Sequence, residues 1–131
     1  MKMSERESIE RLLSDFAWHA DRQEASELSS LFVSDGVLHI GGQQLSGRTA
    51  IEEDCLRRFG ASPRRTRHVW SNLRIEHSDA TLIRSTSVQV TFEQMPNEAP
   101  RYRVSDVSDT FLKDDGGSWK FLSRRISKEI A

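Results

Sequence analysis

The residue types best suited to chemistry lie in one short stretch, Thr-Arg-His-Val-Trp-Ser-Asn-Leu, at residues 66–73. In a strand, successive side chains alternate between two faces, so His68, Trp70 and Asn72 would share one face. An imidazole can move a proton, an indole can pack against a ring and an amide can hydrogen-bond a polar group. This face therefore suits the wall of a ligand pocket, although the same residues would also be stable on a solvent-facing strand.

Asp21 is a second candidate, because it stands at the end of the first predicted helix. With Glu24 three residues later, it also fits the N-cap of a second helix. A capping carboxylate uses its acceptor capacity on backbone N–H groups, so capping competes with a role in a site. Position alone leaves both interpretations open.

Charged residues inside predicted strands form a third group. Asp106 and Asp109 are three residues apart and face opposite sides of a regular strand, and the adjacent Arg124 and Arg125 do the same. A cavity-facing arginine could bind a substrate oxygen or a halide, or form a salt bridge to Asp106 or Asp109. Five more arginines precede His68 and could either be solvated surface or draw an anionic substrate toward a pocket mouth: Arg57, Arg58, Arg64, Arg65 and Arg67.

The other reactive residue types form no recognised motif. His19, His39 and His77 lack the spacing of a metal site, and no glycine-rich phosphate loop or G-x-S-x-G sequence occurs. Cys55 lies on an apolar helix face, which favours core packing over nucleophilic chemistry. We therefore expect no metal and no cofactor.

Composition narrows the class of protein. The 131 residues include 19 Lys and Arg against 20 Asp and Glu, a formal net charge of −1, which argues against a strong nucleic-acid binder. The single cysteine cannot form an internal disulfide, and no stretch is apolar enough for a secretory signal or a membrane span. We expect one cytoplasmic domain over residues 1–131 with no membrane partner.

Three helices are predicted in the first half of the chain. Ser4 and Glu7 have capping-box spacing before an apolar stripe, and Thr49 and Glu52 have it before a third helix. Between them, residues 34–36 are expected to end a second helix. The apolar faces are, in the first helix, Ile9, Leu12, Leu13, Phe16, Ala17 and Ala20; in the second, Leu28, Leu31 and Phe32; in the third, Ile51, Cys55 and Phe59.

Strands dominate the rest of the sequence. Gly41-Gly42 predicts a hairpin between 37–40 and 43–45, and alternating polarity predicts long strands at 67–76, 81–93, 102–112 and 119–126. Tight connections make the four long strands antiparallel. The fold class is α+β, and strands of this length favour a sheet that curls around the helices and leaves a cavity at its mouth.

Several segments, taken in order, resemble the SnoaL-like group of the NTF2-like superfamily. They are 16–24 (FAWHADRQE), 28–32, Asp35-Gly36, 47–51 (GRTAI), 67–73 (RHVWSNL), 117–121 (GSWKF) and Arg125-Ile126. The resemblance covers nearly the whole chain and implies a cone-shaped, curved antiparallel sheet wrapped around three helices in the N-terminal half. Members include dehydratases, polyketide cyclases, steroid isomerases and a dehydrochlorinase.

The resemblance also implies roles for residues. In the dehydratases and the dehydrochlorinase, an aspartate at a helix end orients a strand histidine that acts as base, and these positions match Asp21 and His68. The implied activity is cofactor-free proton abstraction from a small cyclic or aromatic substrate, leading to dehydration, dehydrohalogenation, isomerisation or cyclisation. Phe16 stands where several dehydratases have a tyrosine. The residues expected to bind the substrate are Phe16, Trp18, Trp70, Asn72, Asp109 and Arg124.

The family also offers a non-catalytic alternative. The β subunits of ring-hydroxylating dioxygenases share the fold without catalysing a reaction, so the chain could instead bind a small molecule or serve as a structural subunit. In either case we expect an apolar or aromatic small molecule as the ligand, no nucleic acid, and a homodimer or homotrimer.

Overall fold

The computed structural model describes residues 3–131, which form three helices and six strands. The helices occupy the first half of the chain, and the long strands occupy the second. The helices are α1 (Glu5–Asp21), α2 (Ala25–Ser29) and α3 (Arg48–Gly60). The strands are β1 (Phe32–Ile40), β2 (Gln43–Ser46), β3 (Arg65–Ser78), β4 (Leu82–Gln94), β5 (Arg101–Lys113) and β6 (Trp119–Ile130).

All six strands belong to one curved, unclosed sheet in the order β2-β1-β6-β5-β4-β3. The hairpin at Gly41-Gly42 and the antiparallel pairing of the four long strands are as predicted. The sheet is nevertheless mixed, because β1 pairs with β6 in parallel. These two strands are far apart in the sequence, so no local pattern indicates their relative direction.

Helix α1 forms as its sequence predicts. The Ser4 hydroxyl accepts a hydrogen bond from the Glu7 backbone N–H at 3.1 Å, and the Glu7 carboxylate accepts one from the Ser4 N–H at 3.2 Å. This capping box satisfies two N–H groups that the first turn leaves free. The stripe of Ile9, Leu12, Leu13 and Phe16 is buried.

The other two helices differ from the prediction at their ends. Helix α2 stops at Ser29, and residues 34–36, expected to end it, lie inside β1, because Phe32 is buried as a strand residue beside Phe121. The predicted capping box of α3 does not form: Gly47, at φ +94°, precedes the helix, and Glu52 instead accepts a hydrogen bond from Ser29.

The core fills one end of the space between the helices and the sheet. Phe16, Phe32, Phe111 and Phe121 are buried there, with ring centres 5.0–6.4 Å apart. These edge-on and tilted pairs add to the stability that burial of the rings supplies. The other end of the β4, β5 and β6 strands carries smaller or polar side chains and borders an open cavity.

The outer face of the sheet remains exposed in a single chain. Val69, Phe92 and Tyr102 each keep half or more of their surface accessible. A homodimer or homotrimer that covers this face stays a prediction. Within residues 3–131, none of the helices has the length and apolar character needed to span a membrane.

Candidate active site

A cavity of about 830 Å³ lies at the open end of the sheet. Its walls combine apolar side chains, including Phe16 and Leu28, with polar ones, including His68 and Gln89. This volume falls within the range of small-molecule sites, about 300–1,000 Å³. The cavity therefore has room for a compact ligand of one or two rings.

His68 meets Asp21 at the wall of this cavity. The ring Nδ1 of His68 lies 2.5 Å from Asp21 Oδ1, and the His68 backbone N–H donates to Asp21 Oδ2 at 2.9 Å. The Thr66 hydroxyl adds a third hydrogen bond, to Oδ1 at 3.0 Å. The two side chains are 13% and 4% exposed, so the pair is largely shielded from solvent.

The positions of α1 and β3 explain why these residues meet. Asp21 is the last residue of α1, and the chain leaves the helix through Gln23, which adopts φ +59°. Strand β3 is at the edge of the sheet, where N–H groups on the free side lack a strand partner. The Asp21 carboxylate accepts one of these N–H groups, so it does not cap α2. That helix begins after Glu24 without a side-chain cap.

The contacts keep Asp21 ionised. Burial raises the pKa of Asp21, but the hydrogen bonds from the His68 side chain and backbone, together with that from Thr66, outweigh burial and hold the pKa below its usual value. A carboxylate can only accept hydrogen bonds, so a neutral His68 ring carries its proton on Nδ1. The lone pair of Nε2 is then free, and within residues 3–131 Nε2 has no hydrogen-bond partner.

Gln89 projects from β4 into the cavity, and its side-chain amide is hydrogen-bonded to Arg124. The Arg124 Nη2 group donates to Gln89 Oε1 at 3.3 Å. Because guanidinium groups are donors only, this bond assigns the oxygen of the amide to the arginine and leaves the Gln89 NH2 group as a donor at the cavity wall.

Arg124 itself lies beneath that wall. It is 1% exposed, its Nη1 is 3.2 Å from Asp109 Oδ2, and its guanidinium centre lies 4.3 Å from the Phe16 ring centre. Burial raises the pKa of Asp109 to about 6, against the opposing effect of Arg124. The salt bridge between Arg124 and Asp109, which was predicted as the alternative to substrate binding by Arg124, is thus observed. Neither residue lines the cavity.

Other residues expected to bind the substrate occupy different places. Phe16 lines the cavity, whereas Trp18 and Trp70 line a shallower groove on the other side of the Asp21–His68 pair. The Trp70 indole donates to Ser14 at 2.9 Å, and Arg22 stacks on the exposed Trp18 ring. Both indoles therefore lie outside the cavity wall.

Asn72 is turned away from the predicted shared face. The register between β3 and β4 shifts after Ser71, and Asn72 adopts φ +56° at this bulge. Leu73, which strict alternation puts on the opposite face, is buried, and Asn72 is exposed. The bulge thus limits the face shared with His68 to Thr66 and Trp70.

Sequence reasoning missed Gln89, which lines the cavity. Gln89 lies in a polar inner stripe of β4, with Ser85, Ser87, Thr91 and Glu93, all buried. The alternating polarity of residues 81–93 predicts the strand correctly. It also suggests that the face with the apolar residues Val88 and Val90 packs on the core, whereas these two residues lie on the outer side of the sheet. In the described part of the chain, no cluster of three or more His, Cys, Asp or Glu side chains is placed to hold a metal ion.

Comparison with known proteins agrees with this architecture. The model of the SnoaL-like domain matches residues 1–125. No curated protein sequence matches the chain significantly.

Solved structures show the same fold. A candidate scytalone dehydratase from Novosphingobium aromaticivorans DSM 12444 superposes with a TM-score of 0.85 at 29% identity, over 96% of this chain and 85% of that one. An NTF2-like protein with a cystatin-like fold from the same species gives a TM-score of 0.79 at 24% identity, over 94% and 80%. ActVI-ORFA from Streptomyces coelicolor gives 0.85 at 14%, over 96% and 98%.

Proposed function

This chain belongs to the SnoaL-like domain family, and from that membership and the geometry above we propose that it is an enzyme whose His68 abstracts a proton from a small cyclic or aromatic substrate. The family supports an isomerase, dehydratase or cyclase type of activity. The observation that carries the proposal is the Asp21–His68 hydrogen bond at the wall of an open cavity.

In the proposed step, His68 Nε2 takes a proton from a substrate carbon, and the electron pair of the C–H bond moves into the substrate. There it forms a double bond as a leaving group departs, or it forms an enolate next to a carbonyl. The Asp21 carboxylate stabilises the imidazolium that results and keeps the ring oriented. Such general-base assistance contributes about 10²–10⁴-fold to a rate.

Gln89 supplies the complementary part of the proposed mechanism. Its NH2 group can donate to a substrate oxygen that gains negative charge as the proton leaves, and Arg124 holds it for that purpose. Phe16 occupies the position where several dehydratases of this family have a tyrosine, so this amide offers a donor that Phe16 cannot. The proton on the imidazolium then returns to the product or leaves with the departing group.

Nitrobenzisoxazole tests proton abstraction without knowledge of the natural substrate. A base removes its ring C–H proton, the N–O bond breaks, and the electron pair stays on oxygen to give a coloured cyanonitrophenolate. We expect the protein to accelerate this reaction over buffer, and the His68→Gln variant to lose at least about a hundredfold of that acceleration.

A second histidine–aspartate pair provides the matched control. His77 Nε2 lies 3.0 Å from Asp79 Oδ2, but this pair is exposed and borders neither the cavity nor the groove. His77→Gln should leave the acceleration unchanged. Equal rates for His68→Gln and the unmodified protein, with both folded by circular dichroism, would show that His68 is not the base.

A further inference from the structure

Two arginines line the cavity close to His68. Arg103 belongs to β5, and the strand register places it opposite Thr91 of β4, which in turn lies opposite His68 of β3. Thr91 is buried, so this row of three residues is on the inner face of the sheet. Arg64 immediately precedes β3 and lines the same cavity. Both arginines therefore border the space into which His68 faces.

A single carboxylate holds both arginines. The Nη1 groups of Arg64 and Arg103 donate to the same oxygen, Glu93 Oε2, at 3.1 and 3.2 Å, so the two guanidinium groups are neighbours. Arg101 donates to the other oxygen of Glu93 at 2.8 Å. Burial raises the pKa of Glu93, but the hydrogen bonds and positive charges of these arginines outweigh burial and hold the pKa below its usual value. The cluster therefore has three positive charges and one negative charge.

The excess positive charge is on the cavity side of this cluster. Arg64 and Arg103 line the cavity, whereas Glu93 and Arg101 do not, and no aspartate or glutamate is among the described residues that line it. Within residues 3–131, Nη1 is the only nitrogen of either lining guanidinium that has a hydrogen-bond partner. The side chains of Arg64 and Arg103 are 29% and 35% exposed, so their free N–H groups are only partly solvated.

We propose that Arg64 and Arg103 bind the carboxylate of a small aromatic acid in the cavity. Guanidinium groups match carboxylate oxygens in geometry, and charge-assisted hydrogen bonds are stronger than neutral ones. A second carboxylate would use the free donors and offset the repulsion between the two neighbouring positive charges. That this acid is the substrate of His68 rests on the proposed function, whereas its binding does not.

The strand register sets the distance between this anion site and His68. Strands β3 and β5 are two strand spacings apart, with β4 between them. At about 4.8 Å per spacing, the backbones of His68 and Arg103 are roughly 10 Å apart along the sheet. A ligand of one or two fused rings with a terminal carboxylate fits this distance, and its ring would pack against apolar lining residues such as Phe16.

Naphthoate and naphthamide are suitable probes, since they share size and aromatic surface and differ in charge. Isothermal titration calorimetry should show naphthoate binding at least about tenfold more tightly than naphthamide. Arg103→Gln and Arg64→Gln should each reduce this preference by about fivefold or more. Arg64 lies outside the strands, so Arg64→Gln tests the site even if a replacement within β5 impairs folding, which circular dichroism would detect.

Arg101→Gln is the matched control. Arg101 binds the same carboxylate and lies two residues from Arg103 on the same strand, but it is 64% exposed and does not line the cavity. Arg101→Gln changes the net charge equally and should leave the preference within about twofold of that of the unmodified protein. An equal loss of preference in Arg101→Gln and Arg103→Gln would mean that overall charge, not a site, attracts naphthoate.

Three other results would also overturn the proposal. They are equal affinity for the two probes, no detectable binding of naphthoate, and an unchanged preference in either Arg103→Gln or Arg64→Gln when the variant is folded. Each would show that the two lining arginines do not form a carboxylate site.

The unmodified protein separates this inference from the proposed function, because naphthoate binding needs no proton abstraction and nitrobenzisoxazole has no carboxylate. A preference for naphthoate without acceleration of ring opening would refute proton abstraction and leave the anion site standing. Acceleration of ring opening without a preference for naphthoate would overturn the anion site and leave proton abstraction standing.

Discussion

At the scale of single residues, Asp21 stands at an electrostatically costly position. A carboxylate in the last turn of a helix faces the negative end of the helix dipole. Three hydrogen bonds from Thr66 and His68 compensate for this cost, and together they fix the histidine ring. A residue kept at an unfavourable position by contacts with a potential base is better explained by a site than by helix stability.

The same contacts predict how the stability of the protein depends on pH. The pKa of Asp21 in the folded chain lies below its usual value of 3.8, so the unfolded chain binds a proton at Asp21 before the folded chain does. The resulting stabilisation is fully present above the unfolded pKa and is lost as the pH falls through the folded pKa.

Urea unfolding of the protein and of Asp21→Asn measures this effect. The difference in unfolding free energy between them should shrink as the pH falls below about 4. A difference that stays constant through the acid range would mean that the hydrogen bonds do not favour ionised Asp21.

The pairing of Asp21 with His68 was predicted from the resemblance to the SnoaL-like family. The two residues are far apart in the sequence, so no local pattern indicates that they meet. The place of Gln89 in the cavity wall was not predicted. Its place in the alternating pattern of β4 suggests a solvent-facing residue, whereas the polar face of that strand points inward.

At the scale of elements, a buried ion pair joins β5 and β6. Asp109 and Arg124 face each other in the strand register, and both are almost fully buried. Asp109 Oδ1 and Arg124 Nε have no hydrogen-bond partner within residues 3–131. The pair thus has an incompletely compensated desolvation cost, and we infer that positioning Gln89 is its main contribution.

Single and double replacements test that inference. Asp109→Leu should lower the unfolding free energy by about 3–5 kcal/mol, because it leaves the Arg124 charge buried without a partner. The double variant Asp109→Leu/Arg124→Met should recover most of this loss. Asp106→Leu, at an exposed position of the same strand, should change stability by about 0.5 kcal/mol or less.

Urea denaturation of all three variants gives the comparison. A double variant that is as unstable as Asp109→Leu would show that the ion pair stabilises the sheet in its own right.

The helices and strands were largely predictable from the sequence, because α1 and the four long strands have clear periodicity. The bulge at Asn72 and the early end of α2 were not, since tertiary packing of Leu73 and Phe32 decides both.

At the scale of the whole molecule, the fold places the hydrophobic core and the proposed site at different ends of the strands. The aromatic core occupies one end of the sheet, and the cavity with His68 and Gln89 occupies the other. The parallel contact of β1 with β6 brings Arg125 beside His39 at the cavity mouth. That contact joins distant parts of the chain, so the full set of cavity-lining residues emerges only from the structure.

The central claim is that Asp21 acts through His68 as one proton-abstracting unit. A double-mutant cycle of nitrobenzisoxazole ring opening tests it most directly, with Asp21→Asn, His68→Gln and the two combined. We predict that Asp21→Asn slows the reaction of the unmodified protein by about tenfold or more and causes no further loss in the His68→Gln background. Equal losses from Asp21→Asn in both backgrounds would contradict the account, because the two residues would then act independently.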